Sequence, residues 1–356
     1  MFKLDEQIRE DLLDAGKQKG FENLYIYLSN NCDFHCKHCY LGDRLIKKES
    51  MELVEVKEHL ETWRELGSKK VCFIGGEPTL YPHLKECVDY ADTLKYEKII
   101  VGSNGSEYAG NILLELGNSK VSYVQISLDG ATEKINDSIR RKGAYHETVN
   151  TIKKLVEAGF DTRIIMTVNT YNAFEVLDMI DLAKELGVTL VKFHIMSEIG
   201  NVNADTNVSG LKAIEPLKWI EICESIKEYA KGYADRDMKI SFQPAYAKKG
   251  YEDFHLEPYK GCVGKYLERM SVFPDGRCYV CSFLFDYGLF YANFREGFIE
   301  KCEHSEFEFF NKPTCGGCLQ ECKYDGCAAE DIITGERVCS SSDAIFPVCR
   351  LWKIEL

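Results

Sequence analysis

No uninterrupted apolar run in this chain approaches the ~18 residues that a bilayer-spanning helix needs. The N-terminal stretch MFKLDEQIREDLLDAGKQKG mixes charges and has no apolar centre, so it does not read as a secretion signal. Positive charge is scarce: 44 Lys and Arg stand against 57 Asp and Glu, a formal net charge of −13. That balance argues against a nucleic-acid partner held through phosphates, although it permits a local basic groove. A glycine-rich phosphate loop after the first expected strand is missing, which weighs against a doubly wound nucleotide-binding fold. Internal repeats and low-complexity tracts are missing too. These absences lead us to expect a cytoplasmic protein with neither a membrane nor a nucleic acid as partner.

Cysteine is what the chain has in excess, with 16 in 356 residues. Without a secretion signal a disulfide framework is the weaker reading, and clustered cysteines point to metal. Cys32, Cys36 and Cys39 sit in SNNCDFHCKHCYLG with spacing C-x3-C-x2-C. Three thiolates this close can hold three irons of a cubane [4Fe–4S] cluster and leave the fourth open to a small molecule, whereas electron-relay clusters are normally closed by four. Zinc, with His35 or His38 as a fourth ligand, is the alternative from this segment alone.

Alternating short apolar runs and amphipathic stretches follow. Strands are expected at 23–29, 71–75, 98–102, 122–127, 162–168 and 189–196. Helices are expected at 51–66, 83–94, 107–117, 146–158 and 173–186. That alternation implies parallel strands with helical crossovers, an α/β fold in which six strands suit a partial barrel. A further helix is expected at 214–232, then a hairpin, SVFPDGRCYVCSF, turning at Asp275-Gly276. Ten cysteines lie from Cys262 onward, marking a compositional boundary near residue 260.

The strand ends carry further motifs. Gly75-Gly76-Glu77-Pro78 combines backbone that can approach a ligand closely with a carboxylate able to accept from an ammonium. It can also be simply a tight turn. Ser103-Asn104-Gly105 is a generic turn by itself. Ser127-Leu128-Asp129-Gly130 precedes a helix entry that Asp129 or Thr132 can cap, and Asn169 can cap the helix at 173–186.

In this order the motifs resemble the radical S-adenosylmethionine (SAM) superfamily: the cysteine triad followed by aromatic Tyr40, then the GGEP, S-N-G and S-x-D-G turns. The resemblance covers residues 23 to about 200. It implies a partial (β/α)6 TIM-like barrel whose cluster, on Cys32, Cys36 and Cys39, reductively cleaves SAM to a 5′-deoxyadenosyl radical that abstracts hydrogen from substrate. It also implies a SAM pocket formed by Tyr40, Gly75, Gly76, Glu77, Pro78, Ser103, Asn104, Ser127, Asp129, Arg140 and Asn169. In NDSIRRKGAY, Arg140 keeps the register of the arginine that meets the SAM carboxylate, but Asn136 and Arg141 stand where the family often has histidine and glycine, so Arg141 competes for the role.

The tail resembles the SPASM extension of sulfatase-maturase-like and ribosomal-peptide-maturase-like relatives, a small cysteine-rich α+β domain with one or two auxiliary clusters. By that analogy Cys315, Cys318, Cys322 and Cys349 close one cluster, and Cys262, Cys281 and Cys327 bind another, with Cys278 as its possible fourth ligand. The spacing after Cys318 departs from the family's, and Cys302 and Cys339 are spare candidates. A single zinc site on Cys315, Cys318, Cys322 and Cys327 is the alternative. The expected organisation is an N-terminal segment (1–20), a barrel (21–212), a bridging region (213–260) and the SPASM domain (261–356).

The resemblance implies modification of a ribosomal peptide or protein by crosslinking, epimerisation or side-chain oxidation, with a flavodoxin- or ferredoxin-type electron donor. About twenty residues precede the first strand, too few for a leader-binding domain, so a separate leader-recognition protein is an expected partner. A radical enzyme acting on a small molecule such as a sugar derivative is the second reading, and a non-catalytic zinc module the third. No residue is singled out as the catalytic base or hydrogen donor. Of the remaining cysteines, Cys72, Cys87 and Cys223, one facing the barrel could serve a substrate radical, whereas a buried one simply packs.

Overall fold

The computed structural model describes residues 21–203, 209–232, 238–243, 245–247, 268–288, 290–295, 298–301, 345–347 and 354–355. Six parallel strands form its centre: β1 (Asn23–Tyr27), β2 (Lys70–Ile74), β3 (Lys98–Ser103), β4 (Tyr123–Ser127), β5 (Thr162–Val168) and β6 (Leu190–Ile195). They pair in sequence order, each parallel to the next. Helices Leu53–Glu65, Leu84–Thr93, Glu107–Leu116, Ala144–Glu157 and Val176–Glu185 connect them. These are the strand–helix alternations expected from the sequence, within about two residues at most ends. One expected helix differs: 173–186 divides into a 3-10 turn, Ala173–Glu175, and an α-helix from Val176. Local chemistry starts several helices. Glu52 and Glu55 form a reciprocal capping box. Ser106 accepts from the Ala109 amide, and Thr132, not Asp129, accepts from that of Ile135.

The sheet runs past both ends of this unit. β7 (Lys239–Phe242) adds parallel to β6. Ala245–Ala247 (β8) pairs separately with Ile345–Pro347. β9 (Arg269–Val272) adds parallel to β1 and turns through a hairpin into antiparallel β10 (Arg277–Tyr279), followed by β11 (Ala292–Arg295) and β12 (Phe298–Lys301). Ile354–Glu355 pairs with β7. Hydrogen bonding therefore crosses the expected boundaries at 212 and 260. Side chains of β1, β6 and β9 line one cavity, so the sheet curls into an open barrel.

Alternation along β5 shows how the two faces differ. Thr162, Ile164, Met166 and Val168 are buried under the helices, while Arg163, Ile165 and Thr167 on the inner face are half-buried. Trp63, Phe73, Phe193 and Phe242 fill the outer, helix-covered layer. Apolar burial there stabilises the barrel by ~25 cal/mol per Å² and leaves the inner face available for polar groups. Among the described residues no helix is long and apolar enough to cross a membrane.

Candidate active site

The cavity opens at the carboxyl ends of the strands, where parallel α/β folds place their ligands, and has a volume of about 370 Å³. Cys32, Cys36 and Cys39 all line it, with Phe34, His38 and Tyr40 from the same loop. The loop's shape is fixed by backbone bonds. Cys39 donates to the Cys36 carbonyl at 3.1 Å, Asn201 donates to the Cys39 carbonyl at 3.0 Å, and Lys37 donates to the Ile139 carbonyl at 2.8 Å. Gly200 makes the second contact possible: a Cβ there would lie 2.4 Å from the Cys39 oxygen.

Burial pushes the Cys32 and Cys36 thiols up to about 12. Among the described residues no three Cys, His, Asp or Glu side chains converge as a single-ion site. His35 is exposed and His38 bonds Asp129, so neither completes a zinc site with the triad. Three thiols around one cavity fit three irons of an iron–sulfur cluster.

Gly75 and Gly76 line the cavity, but the crowding that requires glycine comes from the cysteine loop. A Cβ on Gly75 would sit 2.3 Å from the Ser29 carbonyl oxygen, and one on Gly76 2.2 Å from that of Asn31. Glu77 follows them into the protein. It is 1% exposed and lies outside the cavity wall. Its carboxylate accepts from the Thr79 amide (3.1 Å), the Thr79 hydroxyl (2.7 Å), the Ser103 hydroxyl (3.0 Å) and the Asn104 amide (2.7 Å). Burial pushes its carboxyl up to about 7 against those bonds. The side chain thus ties the β2 turn to the β3 turn, and Pro78 begins the short turn Pro78–Leu80 away from the cavity.

Ser103, Asn104 and Ser127 line the cavity. Asn104 also donates to Asp33 at 2.6 Å, linking the β3 turn to the cysteine loop. Asp129 is fully buried behind the wall, where it accepts from Arg140 Nε (2.6 Å) and the Thr167 amide (2.8 Å) and bonds His38 Nε2 (2.8 Å). Burial alone would raise its carboxyl, but the Arg140 guanidinium and then His38 outweigh that and hold it well below the usual carboxylate range. Asn136 accepts from the Asp129 amide at 3.0 Å.

Arg140 reaches the cavity wall. Arg141 leaves it, pairing with Glu147 at 2.8 Å and lying 4.1 Å over the Phe34 ring. Asn169 is buried in its own turn, bonding the Thr167 carbonyl and the Tyr171 amide, and does not reach the cavity. The Tyr40 hydroxyl is 2.7 Å from that of Tyr27, and Tyr27 stacks on Phe273 of the hairpin at 4.0 Å.

The inner faces add residues that no sequence motif marks: Tyr25, Gln125, Lys192, His194 and Arg269. Their only sequence signal is the two-residue period of the strands. Cys72 faces the cavity, whereas Cys87 and Cys223 are buried in the core. In the hairpin, Cys278 is fully buried in the apolar core with its thiol 3.8 Å from the Gly276 carbonyl oxygen, and Cys281 is half-buried on the side of Arg269. Cys262, Cys302, Cys315, Cys318, Cys322, Cys327, Cys339 and Cys349 lie outside the described residues.

Comparison with known proteins agrees with this geometry. Residues 26–195 match the Radical SAM superfamily. The antilisterial bacteriocin subtilosin biosynthesis protein AlbA of Bacillus subtilis (strain 168) is 30% identical over 213 residues, covering 58% of this chain and 45% of its own length. Mycofactocin maturase MftC of Mycobacterium ulcerans (strain Agy99) is 33% identical over 167 residues, covering 46% of this chain and 44% of its own. The chain therefore spans under half the length of these curated relatives. Streptococcus suis SuiB bound to S-adenosylmethionine superposes with a TM-score of 0.63 at 19% identity, over 78% of this chain and 65% of SuiB, a likeness of fold. SuiB has also been solved bound to its precursor peptide SuiA.

Proposed function

We propose that the chain is a radical SAM enzyme, residues 26–195 being those that match that superfamily, and that it modifies a ribosomally made peptide or protein. The observation that carries the reading is the placement of Cys32, Cys36 and Cys39 on one strand-end cavity that Arg140 also lines. A cluster on those cysteines and SAM, when bound, supply a carbon radical that takes a hydrogen atom from an unactivated carbon. The protein's part is to bind, orient and shield. Arg140 offers a guanidinium suited to a carboxylate, and Asp129 fixes its direction through Nε. The Gly75-Gly76 backbone and the turns at Ser103 and Ser127 form the wall beside it. Phe34, Tyr40, Leu41 and Phe283 add aromatic and apolar surface to the cavity lining.

The relatives' names carry the substrate class: one is a bacteriocin biosynthesis protein and another a maturase. A peptide substrate, a separate leader-recognition protein, a flavodoxin- or ferredoxin-type donor and a cytoplasmic setting all belong to this proposal. So do one or two auxiliary clusters on the tail cysteines, giving ~8 or ~12 iron per chain. The cavity of about 370 Å³ favours a second reading, a small organic substrate held whole.

The test is anaerobic reconstitution of the wild type and a Cys32/Cys36/Cys39→Ala variant. The variant should carry about four fewer irons, one cubane, and form no 5′-deoxyadenosine under reduction. Unchanged SAM cleavage in the variant would sink the assignment.

A further inference from the structure

The cysteine loop runs on from the triad into a four-residue helix, Arg44–Lys47. Consecutive turn bonds lead there: Gly42 donates to the Cys39 carbonyl at 3.2 Å, Arg44 to that of Leu41 at 3.0 Å and Ile46 to that of Asp43 at 3.0 Å. The inner side of this helix is committed. Leu45 packs with Cys39 and Tyr40 against Tyr27, Leu41, Phe273 and Phe285. Arg44 lies 4.4 Å over the Phe285 ring and 3.6 Å from Asp275 of the hairpin. Beyond the helix, Glu49 accepts from the Asn30 side chain at 3.3 Å. Outward stand Asp43 at the N-cap, Ile46, Lys47 and Lys48. Ile46 is 75% exposed, more than any other large apolar side chain among the described residues. Among the described residues neither lysine takes part in an ion pair. Lys48 also adopts φ 48° and ψ 30°, the left-handed conformation that glycine reaches with least strain.

We propose that Ile46, Lys47 and Lys48 form the docking surface for an acidic one-electron carrier protein that reduces the cluster on the triad. This deepens the radical SAM reading and rests on it. An apolar centre with a charged rim is the make-up of a protein contact. In a chain of net charge −13 an acidic partner is repelled overall, so a basic spot orients its approach. None of the three residues lines the strand-end cavity, so a carrier seated on them does not compete for those walls. It meets the chain at the end of the loop that Leu45 packs onto Cys39. One electron leaves the reduced carrier and enters the cluster, and no atom or proton is transferred.

The test titrates the reconstituted holoprotein with an acidic flavodoxin by calorimetry. The proteins are the wild type, Lys47→Glu/Lys48→Glu, Ile46→Ser, and a control that reverses two exposed lysines on the helix Ala144–Glu157, Lys153→Glu/Lys154→Glu. Cleavage of SAM is then driven either by reduced flavodoxin or by dithionite, a small reductant that needs no docking surface. Reversal at 47 and 48 should weaken flavodoxin binding about tenfold, the sum of several exposed charge terms, and flatten its dependence on salt. Ile46→Ser should weaken binding and leave the salt dependence as it was. Both variants should slow flavodoxin-driven cleavage, while iron content and dithionite-driven cleavage stay within about twofold of wild type, the range of ordinary surface substitutions. The control should match the wild type throughout. No measurable binding to the wild type, an equal loss in the control, or an equal loss under both reductants would overturn the surface. So would a wild-type dimer in sedimentation that Ile46→Ser dissolves, because the patch would then belong to a second copy. Dithionite-driven cleavage by the wild type reports separately on the radical reading.

Discussion

Asp129→Asn is the substitution whose consequences the geometry defines best. The carboxylate is fully buried and meets Arg140 at 2.6 Å, His38 at 2.8 Å and the Thr167 amide at 2.8 Å. Asparagine keeps the shape and one oxygen acceptor but leaves the Arg140 guanidinium buried without its counter-charge. Removing one partner of a buried pair costs about 3–5 kcal/mol. Over a barrel of this size that lowers the melting temperature by roughly 6–20 °C. Because the folded-state carboxyl is held below its usual range, its contribution is fully present above the unfolded value near 3.9 and is lost as pH falls through the folded one. The gap between wild type and variant should therefore be constant from neutral pH to about pH 5 and narrow below about pH 4. Thermal unfolding by circular dichroism measures both. The decisive control is Asp129→Asn combined with Arg140→Met, which removes the orphaned charge. The double variant should melt above Asp129→Asn, since exchanging a whole buried pair for apolar contacts is far milder than breaking it. A single variant within ~1 kcal/mol of wild type, the range of exposed pairs, or a double variant whose losses simply add, would refute the clamp.

Arg140→Met should weaken SAM binding about ten- to a hundredfold, while Arg141→Ala, whose partner Glu147 lies at the surface, should leave it within about threefold; calorimetry with SAM separates them. Glu77 sits with its carboxyl pushed up to about 7, so wild-type stability should fall as pH rises from about 4.5 to 7, and Glu77→Gln should flatten that slope in melts across the range. Glu77→Ala should lower melting temperature and SAM affinity together, because the β2 and β3 turns lose their common tie. Gly200→Ala would place a Cβ 2.4 Å from the Cys39 oxygen, so it should lose barrel-cluster iron on reconstitution; wild-type iron content would show that the loop yields without consequence.

Much of the barrel was legible because its cause is local. Period-two strands and capped helices specify β1 to β6, and the cysteine triad and the strand-end turns fall on the cavity side as the motifs imply. What each motif residue does was less legible. Gly75 and Gly76 are glycines because the Ser29 and Asn31 carbonyls approach them, a contact between segments over forty positions apart. Asp129 and Glu77 look like ligand contacts in sequence, yet they brace the wall from behind. Asn169 resolves toward its own turn. Arg140 and Arg141 are indistinguishable as neighbours until the helix end sends one inward and the other toward Glu147. Lys192 and Arg269 carry no motif, and only the curl of the sheet brings β6 and β9 to one cavity. The additions of β7 and β9 depend on pairings that no local pattern encodes.

The pairing of β9 with β1 bears on the order in which the molecule is made. β1 lies between β2 and β9, and Asn23 also donates through its side chain to the Glu268 carbonyl at 3.1 Å, across 245 positions. At about 5–20 residues per second, synthesis leaves one edge of β1 unpaired for roughly 10–50 s after it emerges. During that interval the strand is a template for foreign pairing, and the loop bearing the cysteine triad hangs from its end. The edge of β1 that carries the cysteine loop is thus completed only by residues made near the end of synthesis.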